Sequence, residues 1–230
     1  MFNGKLKALT FSFDDGVTQD RKLIEMFNKY GLLCTFNINS DLLGRQNMHH
    51  VDGYPVTHYK VSPEEIASLY AGHEVAVHTL THPCLPDIED EEEIVRQVDM
   101  DRIQLERLSG QHVIGMAYPC GGVNNDDRVA EIIGRRTPIR YSRTITSSFS
   151  FAPQTNLLRF NPTVHVLQDE VFDLAEKFIA LKPDSPQLFY IWGHSYEFDL
   201  PGGWDRMEKL CRMLAGRDDI AYLTNKEALL

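Results

Sequence analysis

The chain has 230 residues, 43% of them hydrophobic, 10% aromatic and 24% charged. That supplies one sizeable core and excludes a disordered chain. A net charge of −10, from 23 Lys and Arg against 33 Asp and Glu, makes nucleic-acid backbones and anionic membrane surfaces poor partners. No stretch approaches the ~20 continuous apolar residues that a membrane-crossing helix needs. The N-terminus, MFNGKLKALTFSFDDG, has lysines but neither an apolar block of about 7–15 residues nor a small-residue cleavage site. A cytoplasmic address is therefore expected, a leader trimmed beforehand being the alternative. Cys34, Cys84, Cys120 and Cys211 are scattered with no C-x-x-C pair, and free thiols are expected.

Leu6 to Phe13 reads as a strand with Leu9, Phe11 and Phe13 on one face, followed by a helix from Asp20 to Tyr30 that Gly31 stops. Leu33 to Ile38 is a second strand. Ser62, Pro63, Glu64 and Glu65 are a helix start, with a hydroxyl cap, proline in the first turn and acids against the dipole. Ile66, Leu69 and Tyr70 form its buried stripe, and Glu74 to His78 is a third strand. A long helix begins near Asp90; its acidic lead-in, DIEDEEE, reads as a solvated helix N-terminus. Val113 to Tyr118, Ile139 to Ser142, Thr163 to Leu167, Leu188 to Trp192 and Ile220 to Leu223 complete the strands. Helices with stripes at Asp126–Arg135, Val171–Leu181 and Met207–Leu214 fall between them. This alternation implies a parallel sheet with crossover helices, and seven or eight strands favour a distorted TIM-like (β/α)7–8 barrel. The weakly periodic segment from Ser142 to Pro162 is where the barrel is expected to distort. Neither repeat nor linker interrupts residues 1–230, so one catalytic domain is expected.

In such barrels reactive groups gather at the C-terminal ends of the strands. Asp14-Asp15-Gly16 follows the first strand, His78-Thr79-Leu80-Thr81-His82 the third, Tyr118-Pro119-Cys120-Gly121-Gly122 the fourth and His194 the seventh. Histidines four apart suit one side of a helical turn and one metal, although nine histidines make a chance pair easy. Asp-Asp-Gly is also turn chemistry, but adjacent carboxylates at a strand end suggest two distinct roles.

FSFDDG, HTLTH, the YPCGG turn and IWGH resemble the polysaccharide deacetylases of carbohydrate esterase family 4, the NodB-like domain, from Leu9 to about His194. The resemblance implies a distorted β/α barrel that removes acetyl groups from N- or O-acetylated carbohydrate with a divalent metal. Zinc comes first, with cobalt, nickel, iron(II) and manganese as alternatives. It also implies Asp14 as catalytic base, Asp15, His78 and His82 as metal ligands, His194 as general acid and the Cys120 N–H as oxyanion donor. Three ligands would leave positions open for water and a carbonyl. Tyr118 and Trp192 are expected to help shape the groove, with Tyr196, Glu197 and Trp204 as further candidates. His49, His50 and His165 are more readily read as hydrogen-bonded loop or strand histidines. A thiol nucleophile at Cys120 is disfavoured because no base is adjacent in sequence.

The pattern departs from the family in places. Ala117 stands where the third motif usually has arginine, Cys120 replaces an aromatic, and Asp199 and Trp204 are wrongly spaced for the Asp-Trp pair that supports the acid. Arg143, directly after the fifth strand, is the candidate for the missing cation beside Asp14. The rivals to a carbohydrate deacetylase are an amide hydrolase acting on a cyclic ureide and a non-catalytic carbohydrate-binding relative. Oligomeric state is not readable from the sequence.

Overall fold

The structure is a computed structural model and describes residues 2–230. Along the chain come β1 (Lys7–Asp14), α1 (Asp20–Tyr30), β2 (Cys34–Ile38), β3 (Gln46–Val51), β4 (Tyr54–Tyr59), α2 (Ile66–Leu69), β5 (Glu74–Val77), α3 (Glu91–Ser109) and β6 (Gly115–Ala117). Then follow α4 (Asp127–Arg136), β7 (Tyr141–Arg143), β8 (Val164–His165), α5 (Val171–Ala180), β9 (Gln187–His194), α6 (Gly203–Leu214), β10 (Ile220–Tyr222) and α7 (Asn225–Leu229).

The main sheet has the order β7-β6-β5-β2-β1-β9-β8, its pairs parallel. β10 pairs with Lys7–Leu9 of β1, below the stretch Phe11–Asp14 that β2 takes. All eight residues of β1 are buried, although Leu9 to Asp14 alternates, with Leu9, Phe11 and Phe13 on one face and Thr10, Ser12 and Asp14 on the other. Its one buried cation, Lys7, donates to the carbonyls of Phe178, Ile179 and Leu181 and pairs with Asp219. The segment between β7 and β8 carries the expected distortion. Phe160 bridges Arg143 of β7, and four residues later Val164 pairs with Ile191 of β9. The curled sheet thus becomes a distorted α/β barrel whose wall thins to a single bridge at that point.

Local chemistry accounts for the helices. Gly31 takes φ 66° at the end of α1, Asp90 caps α3 by accepting from the Glu92 N–H, and Ser62 with Glu65 forms a capping box ahead of α2. The acidic start of α3 pairs with Arg135 and Arg136 of α4. At the barrel floor Tyr141 crosses Gly115, where a Cβ would come within 2.0 Å of the ring, and donates to the buried Glu74.

Two elements differ from the sequence expectation. The stretch NMHHVDGYP is not a loop: β3 and β4 form an antiparallel hairpin turning at Asp52 (φ 49°) and Gly53 (φ 82°). Asp-Gly between strands is a hairpin signal, but β3 is exposed at five of its six positions and shows no hydrophobic alternation. α7, closed by a Thr224–Glu227 capping box, is also additional. The cysteines are free, and among the described residues no helix is long and apolar enough to cross a membrane.

Candidate active site

The site is assembled by sheet register. Asp14, the last residue of β1, is level with His194 on β9 and with Asn37 on β2. It is 2% exposed. The Arg143 Nη2 donates to both of its carboxylate oxygens, and Asn37 Nδ2 donates to Oδ1 at 2.8 Å. Arg143, at the end of β7, is 1% exposed and lies over the Trp192 ring at 4.4 Å. Burial alone would raise the pKa of Asp14. The Arg143 guanidinium, with His78 and His194, outweighs burial and holds the carboxyl below its ordinary value.

Asp15 follows with φ 86°, leaving the strand's alternation and bringing its carboxylate to a different set of partners. Oδ1 accepts from Lys60 Nζ at 3.0 Å, Oδ2 is 3.2 Å from His58 Nε2, and Lys60 also donates to the Asp15 carbonyl. Burial opposes ionisation here as well, but Lys60 and His58 prevail and the carboxyl lies well below the usual range. His58 and Lys60 do not figure in the sequence expectations. They alternate along one face of the chain leaving β4, a signal that appears only once that segment is known to be extended.

His78 and His82 do meet, with ring centroids 4.9 Å apart, but not on a helical turn. The segment is an irregular loop that doubles back through left-handed Thr79 (φ 65°) and His82 (φ 64°). Asn39 pins it by donating to the carbonyls of His78 and Thr79. His78 Nδ1 is 2.9 Å from the Ala117 carbonyl, which only accepts, so Nδ1 carries the proton and Nε2 offers a lone pair. Burial lowers the pKa of His78 to about 4 and lowers that of His82, making both rings neutral at neutral pH. Asp15, His78 and His82 offer three ligand atoms within 4.8 Å of one another. An ionised carboxylate and two neutral imidazoles, one with its tautomer fixed by a backbone acceptor, fit a divalent cation.

His194 caps the 3-10 turn Ser195–Asp199, and Glu197 closes the capping box. Glu197 Oε2 accepts from the His194 N–H at 3.0 Å, and Oε1 lies 3.2 Å from the ring Nδ1. His165 Nε2 is 3.3 Å from the same carboxylate. Burial would lower the His194 pKa, but Glu197, Asp14 and Asp15 raise it to about 9, giving a cationic ring at neutral pH. His194 Nε2 stands 4.0 Å from Asp14 Oδ2. Glu197 thus occupies the place beside His194 for which the sequence shows no Asp-Trp match. Asp199 instead accepts from Gln19 and from Trp204, whose ring lies under Lys22 outside the pocket.

A pocket of about 300 Å³ opens over these groups, lined by Asp14, His78, His82, His194, Trp192 and Cys120 among others. Tyr118 lines it with its hydroxyl anchored on the Leu158 carbonyl, and His49 reaches it from β3, whereas His50 does not line it. Cys120 adopts φ 70° with its sulfur 3.8 Å from His82 Nδ1. Burial pushes the thiol pKa up, so the sulfur is a protonated filler. Among the described residues the Cys120 N–H has no hydrogen-bond acceptor.

Residues 3–136, more than half of the chain, match the family model described as polysaccharide deacetylase. The chain belongs to the polysaccharide deacetylase family. Deacetylation of carbohydrate by hydrolysis is this family's activity, and Asp14, Asp15, His78 and His82 all lie in the matched part. Solved structures agree on the fold of this family member. A putative polysaccharide deacetylase from Mycobacterium smegmatis superposes with TM-score 0.68 at 16% identity, covering 97% of this chain and 89% of that one. Peptidoglycan deacetylase PdaC from Bacillus subtilis gives 0.55 at 17% identity over 98% and 90%. A family 4 carbohydrate esterase from Streptomyces lividans, in complex with acetate, gives 0.56 at 13% over 95% and 91%. No match is found among the curated proteins.

Proposed function

We propose that residues 1–230 form one catalytic domain that hydrolyses acetyl groups from N- or O-acetylated carbohydrate. In this reading Asp14 is the base, His194 the acid, and Asp15, His78 and His82 hold a divalent cation, zinc being favoured by two imidazoles and a carboxylate. The observation that carries the reading is a pair of titratable groups pushed to opposite protonation states. Asp14 is held ionised and His194 held protonated, 4.0 Å apart across one β1–β9 rung.

A bound cation would polarise the acetyl oxygen and make an attacking water more acidic. The chain's own groups supply the rest. Asp14, kept anionic by Arg143, takes the proton from the water. The Cys120 N–H donates to the oxygen as it gains charge; one such donor is typically worth about 2.7–4 kcal/mol. His194 delivers its proton to the departing amine or alkoxide, and Glu197 holds the ring through Nδ1 so that Nε2 faces the reaction. Trp192, Tyr118 and Ile145 line the pocket beside Asp14 and His194. A net charge of −10 suits a neutral sugar better than a polyanionic one.

The test pairs metal analysis with acetate release from a panel of acetylated sugars. About one divalent ion per chain, loss of acetate release on chelation and recovery with zinc or cobalt are expected. Full activity in metal-stripped protein, or hydrolysis confined to cyclic ureides, would overturn the reading. A metal-loaded chain that binds sugar and releases no acetate would be the non-catalytic relative.

A further inference from the structure

β8 pairs with β9 so that His165 lies level with Trp192, two residues before His194. The His165 N–H donates to Gln168 Oε1 at 2.8 Å and its carbonyl accepts from the Gln168 N–H at 3.0 Å, so the chain turns back directly after it. Inside that turn the Leu167 N–H donates to His165 Nδ1 at 3.2 Å. The ring stands edge-on to Trp192, with centroids 4.5 Å apart at 77°. A backbone N–H only donates, so Nδ1 accepts and the proton of the neutral ring lies on Nε2. Nε2 is 3.3 Å from Glu197 Oε2.

His165, His194 and Glu197 offer ligand atoms within 4.8 Å of one another, the spacing of a second cation site. The tautomer argues against that use. A cation on His165 Nε2 would move the ring proton to Nδ1, directly against the Leu167 N–H. The cluster is instead a ring of donors around one carboxylate. Glu197 Oε2 accepts from the His194 N–H, and Oε1 lies beside His194 Nδ1. Both of those donors belong to His194 itself. Among the described residues only His165 ties the carboxylate to another element of the sheet. The terminal torsion of a glutamate is broad, without a deep staggered well. With the His194 N–H alone on Oε2, the carboxylate plane could turn about that bond and carry Oε1 away from the ring. A second donor on Oε2, reaching it from β8, fixes the plane.

We propose, resting on the reading of His194 as the acid, that His165 is a positioning residue for the proton transfer. It fixes the plane of the Glu197 carboxylate and, through it, the direction in which His194 Nε2 faces the departing group. Substrates differ in how much they need this. An amine or a sugar alkoxide leaves poorly without a proton, whereas a nitrophenolate leaves readily without one.

Imidazole nitrogen NMR on the wild-type chain should find His165 protonated on Nε2 and bare on Nδ1, and a hydrogen-bonded proton on His194 Nδ1. His165→Phe keeps a ring against Trp192 and removes the donor. It should broaden the His194 Nδ1 proton by exchange and lower kcat on acetylated sugars about tenfold relative to its rate on nitrophenyl acetate, part of the about 10²–10⁴ that a positioned acid supplies. KM and metal content should stay level. His165→Gln, which restores an N–H donor, should recover most of the sugar rate. His165→Leu is the second removal of the donor should phenylalanine unfold the chain. A His165 proton on Nδ1, equal losses on both substrates, or no loss on either overturns the proposal. So does a second bound ion per chain that His165→Phe removes. If no sugar releases acetate, the deacetylase reading fails and the spectra alone decide the role of His165. Loss of the His194 Nδ1 signal in His165→Phe and its return in His165→Gln then support it; an unchanged signal overturns it.

Discussion

Replacing Arg143 with methionine removes a cation from a carboxylate that has no solvent to replace it. The two side chains are 1% and 2% exposed, so little screening softens the loss. Deleting one partner of such a buried pair costs roughly 3–5 kcal/mol. Asp14 would retain the burial that raises its pKa and lose the strongest contribution lowering it, with only His78, His194 and the Asn37 amide still favouring the anion. In wild-type protein Asp14's folded pKa lies below its unfolded value of 3.8, so its stabilising contribution is present above that value and fades as pH falls through the folded one. In Arg143→Met the folded pKa moves above the unfolded value, and the order reverses: the variant loses stability as pH rises through the new pKa. The gap between urea midpoints should therefore be large at neutral pH and shrink in acid. The acidic limb of the kcat/KM profile should move up, and kcat should fall by one to two decades, roughly 1.4–2.7 kcal/mol. Acetate release and urea unfolding across pH, with metal content measured in parallel, check each part. Adding Asp14→Asn should restore much of the stability and none of the activity. An unmoved acidic limb with metal retained would show that Arg143 does not control the ionisation of Asp14.

The adjacent aspartates should separate by metal content: Asp14→Asn loses activity and keeps the ion, while Asp15→Asn loses the ion as well as leaving Lys60 without its carboxylate partner. Equal metal loss would refute the division of roles. Glu197→Gln removes the main cause of the raised His194 pKa, so the alkaline limb near about 9 should shift toward 6.5. The stability that pairing confers, present below 6.5 and lost as pH rises through about 9, should shrink with it; an unmoved limb would assign the limb to another group. Lys60→Met takes a buried ammonium off the Asp15 oxygen, and equilibrium dialysis should find zinc bound about tenfold more tightly, about 1.4 kcal/mol. Weaker binding would mean that Lys60 is needed to aim the carboxylate.

Much of the barrel was legible because its strands are buried on both faces or end in recognisable chemistry. β1 reads as a strand by Leu9, Phe11 and Phe13 on one face, β9 is a near-continuous apolar run, and Gly31, Ser62 and Asp90 mark helix boundaries by their own geometry. The hairpin β3–β4 was not legible by hydrophobic alternation, because five of six β3 residues face water; only Asp52-Gly53 marks its turn. That miss hid His58 and Lys60, which reach Asp15 from a segment read as loop. Arg143 is legible because it follows a predicted strand, and strand ends are where a barrel can bring a replacement cation to Asp14. Glu197 is legible only as a groove residue; its three-residue spacing from His194 is the capping-box spacing, but a histidine is an unusual cap, and the bond to its ring is a tertiary fact. The irregular loop between His78 and His82 depends on two left-handed residues other than glycine, which no local preference announces.

Asp14 and His194 face each other because β1 and β9 pair through eight consecutive rungs, from Lys7 with Gln187 to Asp14 with His194. Such a ladder has no halfway positions. A slip of one residue would turn every side chain of β1 to the opposite face, trading Phe11 and Phe13 for Thr10 and Ser12 in their packing layer. The spacing of the reactive groups is therefore quantised, tied to the same choice that decides whether the barrel has a core at all. Errors in this site should arrive as whole lost molecules, not as a population of slightly slower ones. As urea is raised, the remaining activity should track the folded fraction, each surviving molecule working at close to its full rate.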